Sequence, residues 1–191
     1  TPLYAASIAN DTVALYYKDG QLKVFRTDTG DLVTDTTVEP VEGQQSVMMN
    51  NEGSGYVWLE LRDNVRYETT ATRVYGPEGL VSDLTHLQDK YYALNYLTTT
   101  PEGRPLYYGT SEAPSSSGSL CDVLDETGNV ALGLGDLGSC YSYYDNSLNQ
   151  LPDHVFVARR GFYYGWMDTN GKWLYCQSIF STINADDEMG Y

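Results

Sequence analysis

The chain has 191 residues, 41% of them hydrophobic, and a formal net charge of −15 from 26 acidic and 11 basic side chains. That length supports a sizeable core, in one domain or two small ones, and the hydrophobic share excludes native disorder. No apolar run reaches the length of a membrane-spanning helix, and the negative field opposes nucleic-acid backbones and anionic lipid head groups.

Eighteen Tyr and 18 Gly dominate the character of the sequence. Tyr, Thr and Val suit a pleated surface and Gly supplies turns, while no long window repeats apolar residues every three or four positions. Strands are therefore predicted throughout. In chain order the first candidates are Leu3–Ile8, Thr12–Lys18, Leu22–Arg26 and Asp31–Thr34. Next come Ser46–Asn50, Tyr56–Arg62, Tyr67–Tyr75 and Leu80–Asp83. A third group is Lys90–Leu97, Pro105–Thr110, Cys121–Asp125 and Val130–Leu134. The last is Tyr141–Tyr144, His154–Arg159, Phe162–Asp168 and Lys172–Cys176.

The grouping follows from an internal repeat. Glycines at 30, 79, 128 and 171 lie 49, 49 and 43 residues apart. Five residues before each stands Phe25, Val74, Val123 or Trp166, and two after each stands Leu32, Val81, Val130 or Trp173. A short polar loop ending in Gly suits a type I turn followed by a left-handed bulge residue. Each repeat thus predicts a hairpin, with its flanking apolar positions on one side of the sheet. Sixteen strands in four groups of four predict an all-β, four-bladed β-propeller-like array of four-stranded antiparallel repeats, with a β-sandwich as the alternative. The expected organisation is one repeat-built domain, 1–191, in units of about 1–44, 45–89, 90–139 and 140–191.

Residues 155–175 carry the sharpest motif. An apolar strand is followed by Tyr164-Gly165-Trp166, then Met167-Asp168, then Gly171-Lys172-Trp173. This stretch resembles a bacterial WG repeat, which runs through an aromatic-Gly pair, an apolar-Asp pair and a Gly-Lys-apolar ending. The likeness fades in the other units to the hairpin alone; only the third keeps an aspartate, Asp125, three before its glycine. The resemblance implies a repeat-built β domain of a bacterial envelope or secreted protein, with no catalytic residues to carry over.

Chemistry-bearing motifs are sparse. The two histidines, His86 and His154, face no Gly-x-Ser-x-Gly elbow, and Ser115 to Ser119 reads as a loop. Acidic turns such as Asp28/Asp31 and Asp186-Asp187-Glu188 lack the spacing of a calcium loop, and no phosphate-cradling glycine loop opens a helix. No catalytic residue, metal site or cofactor is therefore expected. Three cysteines, Cys121, Cys140 and Cys176, fit no zinc motif; a Cys121–Cys140 or Cys140–Cys176 disulfide and three buried thiols all remain open. Asn10-Asp11-Thr12 matches a glycosylation sequon. The residues from Gln177 to Tyr191 are expected to pack loosely.

Aromatic residues are the strongest hint of binding. The pairs Tyr16-Tyr17, Tyr91-Tyr92, Tyr107-Tyr108, Tyr143-Tyr144 and Tyr163-Tyr164 sit in candidate strands, where neighbours point to opposite faces. One ring of each pair should pack between blades and the other reach the opposite face or a rim. Tyr163, Tyr164, Trp166, Trp173 and Trp58 are the candidate ligand-contact residues. The resulting expectation is a non-catalytic binding or scaffold module of a bacterial secreted or cell-envelope protein, its partner a protein or carbohydrate, with no nucleic acid and no membrane insertion. A start at Thr1-Pro2 suggests that an export signal has been removed. A small carbohydrate-active enzyme on a propeller scaffold, or a fragment of a larger propeller, are the alternatives.

Overall fold

The structure is a computed structural model and describes residues 1–9, 11–43, 46–53, 55–66, 68–112, 119–136, 138–141, 151 and 154–180. The Asn10 sequon, Tyr67, residues 115–118 of the serine-rich loop, the Tyr143-Tyr144 pair and the acidic 186–188 stretch lie outside these residues. Within them all four predicted strand groups form, each as a separate antiparallel sheet in simple chain order. The first sheet holds β1 (Leu3–Ile8), β2 (Thr12–Tyr17), β3 (Gln21–Arg26) and β4 (Leu32–Thr37). The second holds β5 (Ser46–Gly53), β6 (Tyr56–Asp63), β7 (Glu68–Gly76) and β8 (Gly79–Asp83). β9 (Ala93–Thr99), β10 (Pro105–Glu112), β11 (Ser119–Leu124) and β12 (Val130–Asp136) form the third. β13 (Ser139–Tyr141), β14 (Val155–Arg160), β15 (Tyr163–Asp168) and β16 (Trp173–Ser178) form the fourth. Four separate meanders of four strands are the blades of a propeller-like fold, where a sandwich would place its strands in two sheets.

The chain divides into two compact units, Thr1–His86 and Leu87–Tyr191, with two sheets in each. In the first unit the core is Ala14, Tyr16, Leu22, Val24, Val38, Val57, Leu59 and Tyr75, drawn from both sheets. Asn51 ties those sheets through polar groups. Its side-chain amide donates to the carbonyls of Ser7 and Thr12, at 3.3 and 2.9 Å, and its carbonyl oxygen accepts from the Thr12 hydroxyl. In the second unit the core is Leu97, Leu106, Cys121, Val123, Leu134, Cys140, Phe156, Ala158 and Met167.

All four repeat glycines occupy the left-handed region, with φ of 76°, 103°, 86° and 80° at Gly30, Gly79, Gly128 and Gly171. Gly30, Gly128 and Gly171 lie between the third and fourth strands of their sheets, and Gly79 opens the fourth strand of its own, so all four sit at the predicted hairpins. The Asp preceding two of them has a local task. Asp125 accepts hydrogen bonds from the Thr127 amide (2.9 Å), the Thr127 hydroxyl (2.6 Å) and the Asn129 amide (3.0 Å). Asp168 accepts from the Asn170 and Lys172 amides, both at 2.9 Å. The motif aspartate is thus a turn-closing group.

Partial burial pushes the Asp125 carboxyl up, but these donors outweigh it and hold the group below the ordinary aspartate range. Asp125→Ala is expected to cost about 1–2 kcal/mol at neutral pH by urea denaturation. A carboxylate whose folded pKa is lowered adds stability above its unfolded pKa and loses it as pH falls through the folded value. The deficit of the variant should therefore shrink below about pH 3.9, the ordinary aspartate value.

Several sequence expectations are corrected. The apolar residues flanking the repeat glycines do not share a face in the third and fourth sheets. A register shift at the bulge pairs Val123 with Leu132 and Leu124 with Val130; likewise Trp166 pairs with Tyr175 and Met167 with Trp173. One inserted residue turns every later side chain to the opposite face. Lys90–Tyr92 is not strand. A short 3-10 turn, Thr85–Leu87, precedes it, and the amides of Lys90 and Tyr91 both bond to the Leu87 carbonyl. The Tyr91 ring lies over Gly109 and its hydroxyl donates to Asp122 at 2.8 Å, while the Tyr92 amide bonds the Thr110 carbonyl where β9 begins. Finally, Gln177 and Ser178 belong to β16 rather than to a loose tail, and residues 181–191 lie outside the described chain.

Candidate functional site

The fourth sheet has two unlike faces. Strand alternation and register place Cys140, Phe156, Ala158, Gly165 and Met167 on the face that joins the core of the second unit. Val157, Arg159, Tyr164, Trp166, Tyr175 and Gln177 share the other face. Trp166 and Tyr175 stand opposite each other with ring centroids 6.0 Å apart and planes tilted by 58°. They remain 46% and 53% exposed, an unusual state for two large aromatics on adjacent strands. The Tyr175 hydroxyl donates to the Gln177 side-chain carbonyl at 3.2 Å, and the Gln177 amide donates to the Tyr164 hydroxyl. Arg159 stands opposite Tyr164 in register and uses its Nε to bond the Gly161 carbonyl at 3.1 Å. The result is an aromatic pair whose rim of hydroxyl, amide and guanidinium groups is already held in place.

Gly165 makes this arrangement feasible. A Cβ there would meet the Tyr175 carbonyl oxygen at 2.1 Å and the Cys176 Cα at 2.7 Å. The aromatic-Gly motif therefore reflects close approach of the β16 backbone, and that approach brings Tyr175 beside Trp166.

The five sequence-predicted aromatics do not form one surface. Tyr164 and Trp166 come together with Tyr175. Tyr163 lies on the opposite face at the hairpin end and is 55% exposed, so the Tyr163-Tyr164 pair departs from the rule of one buried ring. Tyr16 and Tyr107 follow that rule as the buried members of their pairs, and Tyr91 is buried too, though outside a strand. Trp173 packs partly buried against the core of the second unit, with Tyr108 and Leu132. Trp58 is 2% exposed inside the first unit, with its indole N–H directed to Glu60, so it contributes no open surface. Sequence reasoning missed Tyr175 and Gln177. Their period-two spacing was visible, but the bulge that puts them on the Trp166 face was not.

Neither histidine belongs to this set of side chains. His86 sits in the 3-10 turn, and His154, at φ 65°, bonds the Thr99 carbonyl through Nδ1. Asp31 is engaged by the Thr29 hydroxyl at 2.7 Å. Among the described residues no group of three or more His, Cys, Asp and Glu side chains is placed to hold a metal ion, and no helix is long and apolar enough to cross a membrane. One carboxyl is chemically distinct. Glu52, at the end of β5, keeps part of its surface exposed, yet desolvation of its carboxyl pushes it up to about 7.

The model of a domain of unknown function, DUF5046, matches residues 5–187. The chain belongs to the DUF5046 family. No curated protein matches the DUF5046 chain in sequence. Solved structures similar to it include the computationally designed Ika4 protein, 14% identical over 94% of this chain and 92% of that one, with a TM-score of 0.35. The WD40 beta propeller domain of Doa1 is 12% identical, over 91% of this chain and 68% of that one, with a TM-score of 0.34.

Proposed function

We propose that this DUF5046 domain is a non-catalytic binding module of a bacterial secreted or cell-envelope protein, and that its ligand is a neutral carbohydrate held on the outer face of the fourth sheet. The exposed Trp166–Tyr175 pair carries this reading. Aromatic faces suit the apolar faces of sugar rings, and the Gln177 amide, the two tyrosine hydroxyls and Arg159 offer hydrogen bonds at the rim. A net charge of −15 disfavours polyanions and favours an uncharged glycan. The secreted setting rests on the WG-repeat likeness of residues 155–175.

Titration calorimetry against neutral polysaccharides, with Trp166→Ala and Tyr175→Ala, tests the reading. Either variant is expected to weaken binding about 10-fold or more. Absence of glycan binding, or undiminished binding by both variants, would defeat it; capture of a protein ligand through Trp166 would replace the carbohydrate with a protein partner.

Glu52 favours a second reading, a small carbohydrate-active enzyme. A carboxyl pushed up to about 7 is still substantially protonated at neutral pH, the state that a general acid needs. Hydrolysis of a glycoside panel that is lost in Glu52→Gln would establish it, and an inert wild-type protein would dismiss it.

A further inference from the structure

The second unit contains a pair of side chains that the binding reading does not use. Cys121 on β11 and Cys140 on β13 bring their sulfurs to 3.0 Å across two different sheets. This is inside ordinary van der Waals separation for sulfur, and about 1 Å beyond a disulfide bond of about 2.05 Å. Both side chains are buried, at 1% and 4% exposure, among Leu97, Leu106, Val123, Leu134 and Phe156. The third cysteine, Cys176, is exposed on edge strand β16. Among the described residues β13 is a three-residue strand at the edge of its sheet that pairs with β14 through Ser139, Cys140 and Tyr141.

We infer that Cys121 and Cys140 form a disulfide that staples the third sheet to the fourth and fixes β13, leaving Cys176 as the free thiol. The oxidant is a disulfide of a low-molecular-weight thiol. One cysteine thiolate attacks a donor sulfur, giving a mixed disulfide and releasing one donor thiolate. The second cysteine, deprotonated in turn, attacks the protein sulfur of that mixed disulfide and expels the other donor thiolate. Two protein thiols lose two electrons and two protons in total, and the donor is reduced to two thiols. Because the buried pair excludes a bulky donor, the exchange belongs to the stage before the two sheets close, or to a local opening of β13. The thiols influence each other in the reduced protein. A hydrogen bond from Cys140 holds Cys121 below its ordinary value, while the same contact and burial push Cys140 up.

The test is to refold the full chain from urea in a mixture of oxidised and reduced glutathione, then alkylate it in denaturant without reductant. No Lys or Arg lies between Arg104 and Arg159, so a glutamate-specific protease cutting at Glu126 is needed to separate the two cysteines before mass spectrometry. The expected result is alkylation at Cys176 alone, and a Cys121–Cys140 linked peptide lighter by two hydrogens than its reduced parts. Cys176→Ser should keep that linkage, which guards against misfolding of the Cys121→Ser and Cys140→Ser variants. Reductant should lower the melting temperature of the oxidised chain by roughly 5–10 °C. Alkylation of all three cysteines, or a linkage to Cys176, overturns the inference.

Discussion

Gly165→Ala is expected to destabilise the protein by about 3 kcal/mol or more, because the added methyl has nowhere to go. The atoms it would strike are backbone: the Tyr175 carbonyl oxygen at 2.1 Å, the Cys176 Cα at 2.7 Å and the Tyr175 carbonyl carbon at 2.9 Å. A flexible side chain could swing aside, but a paired strand cannot. Relief requires β16 to move away from β15, which breaks the Gly165–Cys176 pairing and separates Tyr175 from Trp166. Gly165, at φ 158°, carries a backbone penalty as well as the clash, and Gly30→Ala supplies the reference for a backbone penalty alone. Gly30 has φ 76° with nothing within 4 Å of its added methyl, so only the left-handed backbone penalty of about 1–2 kcal/mol applies. Urea denaturation of both variants reads the difference directly. If Gly165→Ala costs no more than Gly30→Ala, the close approach of β15 and β16 is wrong. The same substitution should abolish any ligand binding that depends on the Trp166–Tyr175 pair, even at temperatures where the chain stays folded.

This glycine shows how much of the domain was legible in the sequence. The repeat spacing of Gly30, Gly79, Gly128 and Gly171 located four hairpins because positive φ selects glycine strongly, and all four proved left-handed. Strand groups followed from β-favouring composition between those points. Side-chain facing was harder. A single bulged residue, Leu174 opposite the Trp166–Met167 step, reverses the parity of β16, and nothing local in Trp173-Leu174-Tyr175 announces it. The binding candidates therefore do not come together on one surface. Trp58 and Trp173 are as aromatic as Trp166, but tertiary packing, which a strand pattern does not encode, buries the first and half-buries the second. The Cys121–Cys140 approach had the same status. Spacing left two bridges and no bridge equally open, whereas the packing of β11 against β13 brings one pair together.

Glu52 gives the other large effect, and it appears as a dependence on pH. Desolvation pushes its carboxyl from an ordinary 4.5 up to about 7 in the folded protein. In the unfolded chain it ionises near 4.3, the value of an unperturbed glutamate at about 25 °C. Between those values the folded state holds a proton that the unfolded state has released, so stability falls as pH rises. The penalty is absent below about pH 4 and complete above about pH 7, where it amounts to at most about 4 kcal/mol. Gln has the same shape with no charge to desolvate. Glu52→Gln should therefore match the wild type near pH 4 and exceed it increasingly toward pH 8. Urea midpoints at four or five pH values would show the two curves diverging between these limits. Parallel curves would mean that Glu52 ionises normally, which would also remove the one observation favouring an acid catalyst. Diverging curves with no glycoside hydrolysis would instead place Glu52 as a carboxyl that the packing around β5 keeps protonated, and leave the aromatic face of the fourth sheet as the functional surface.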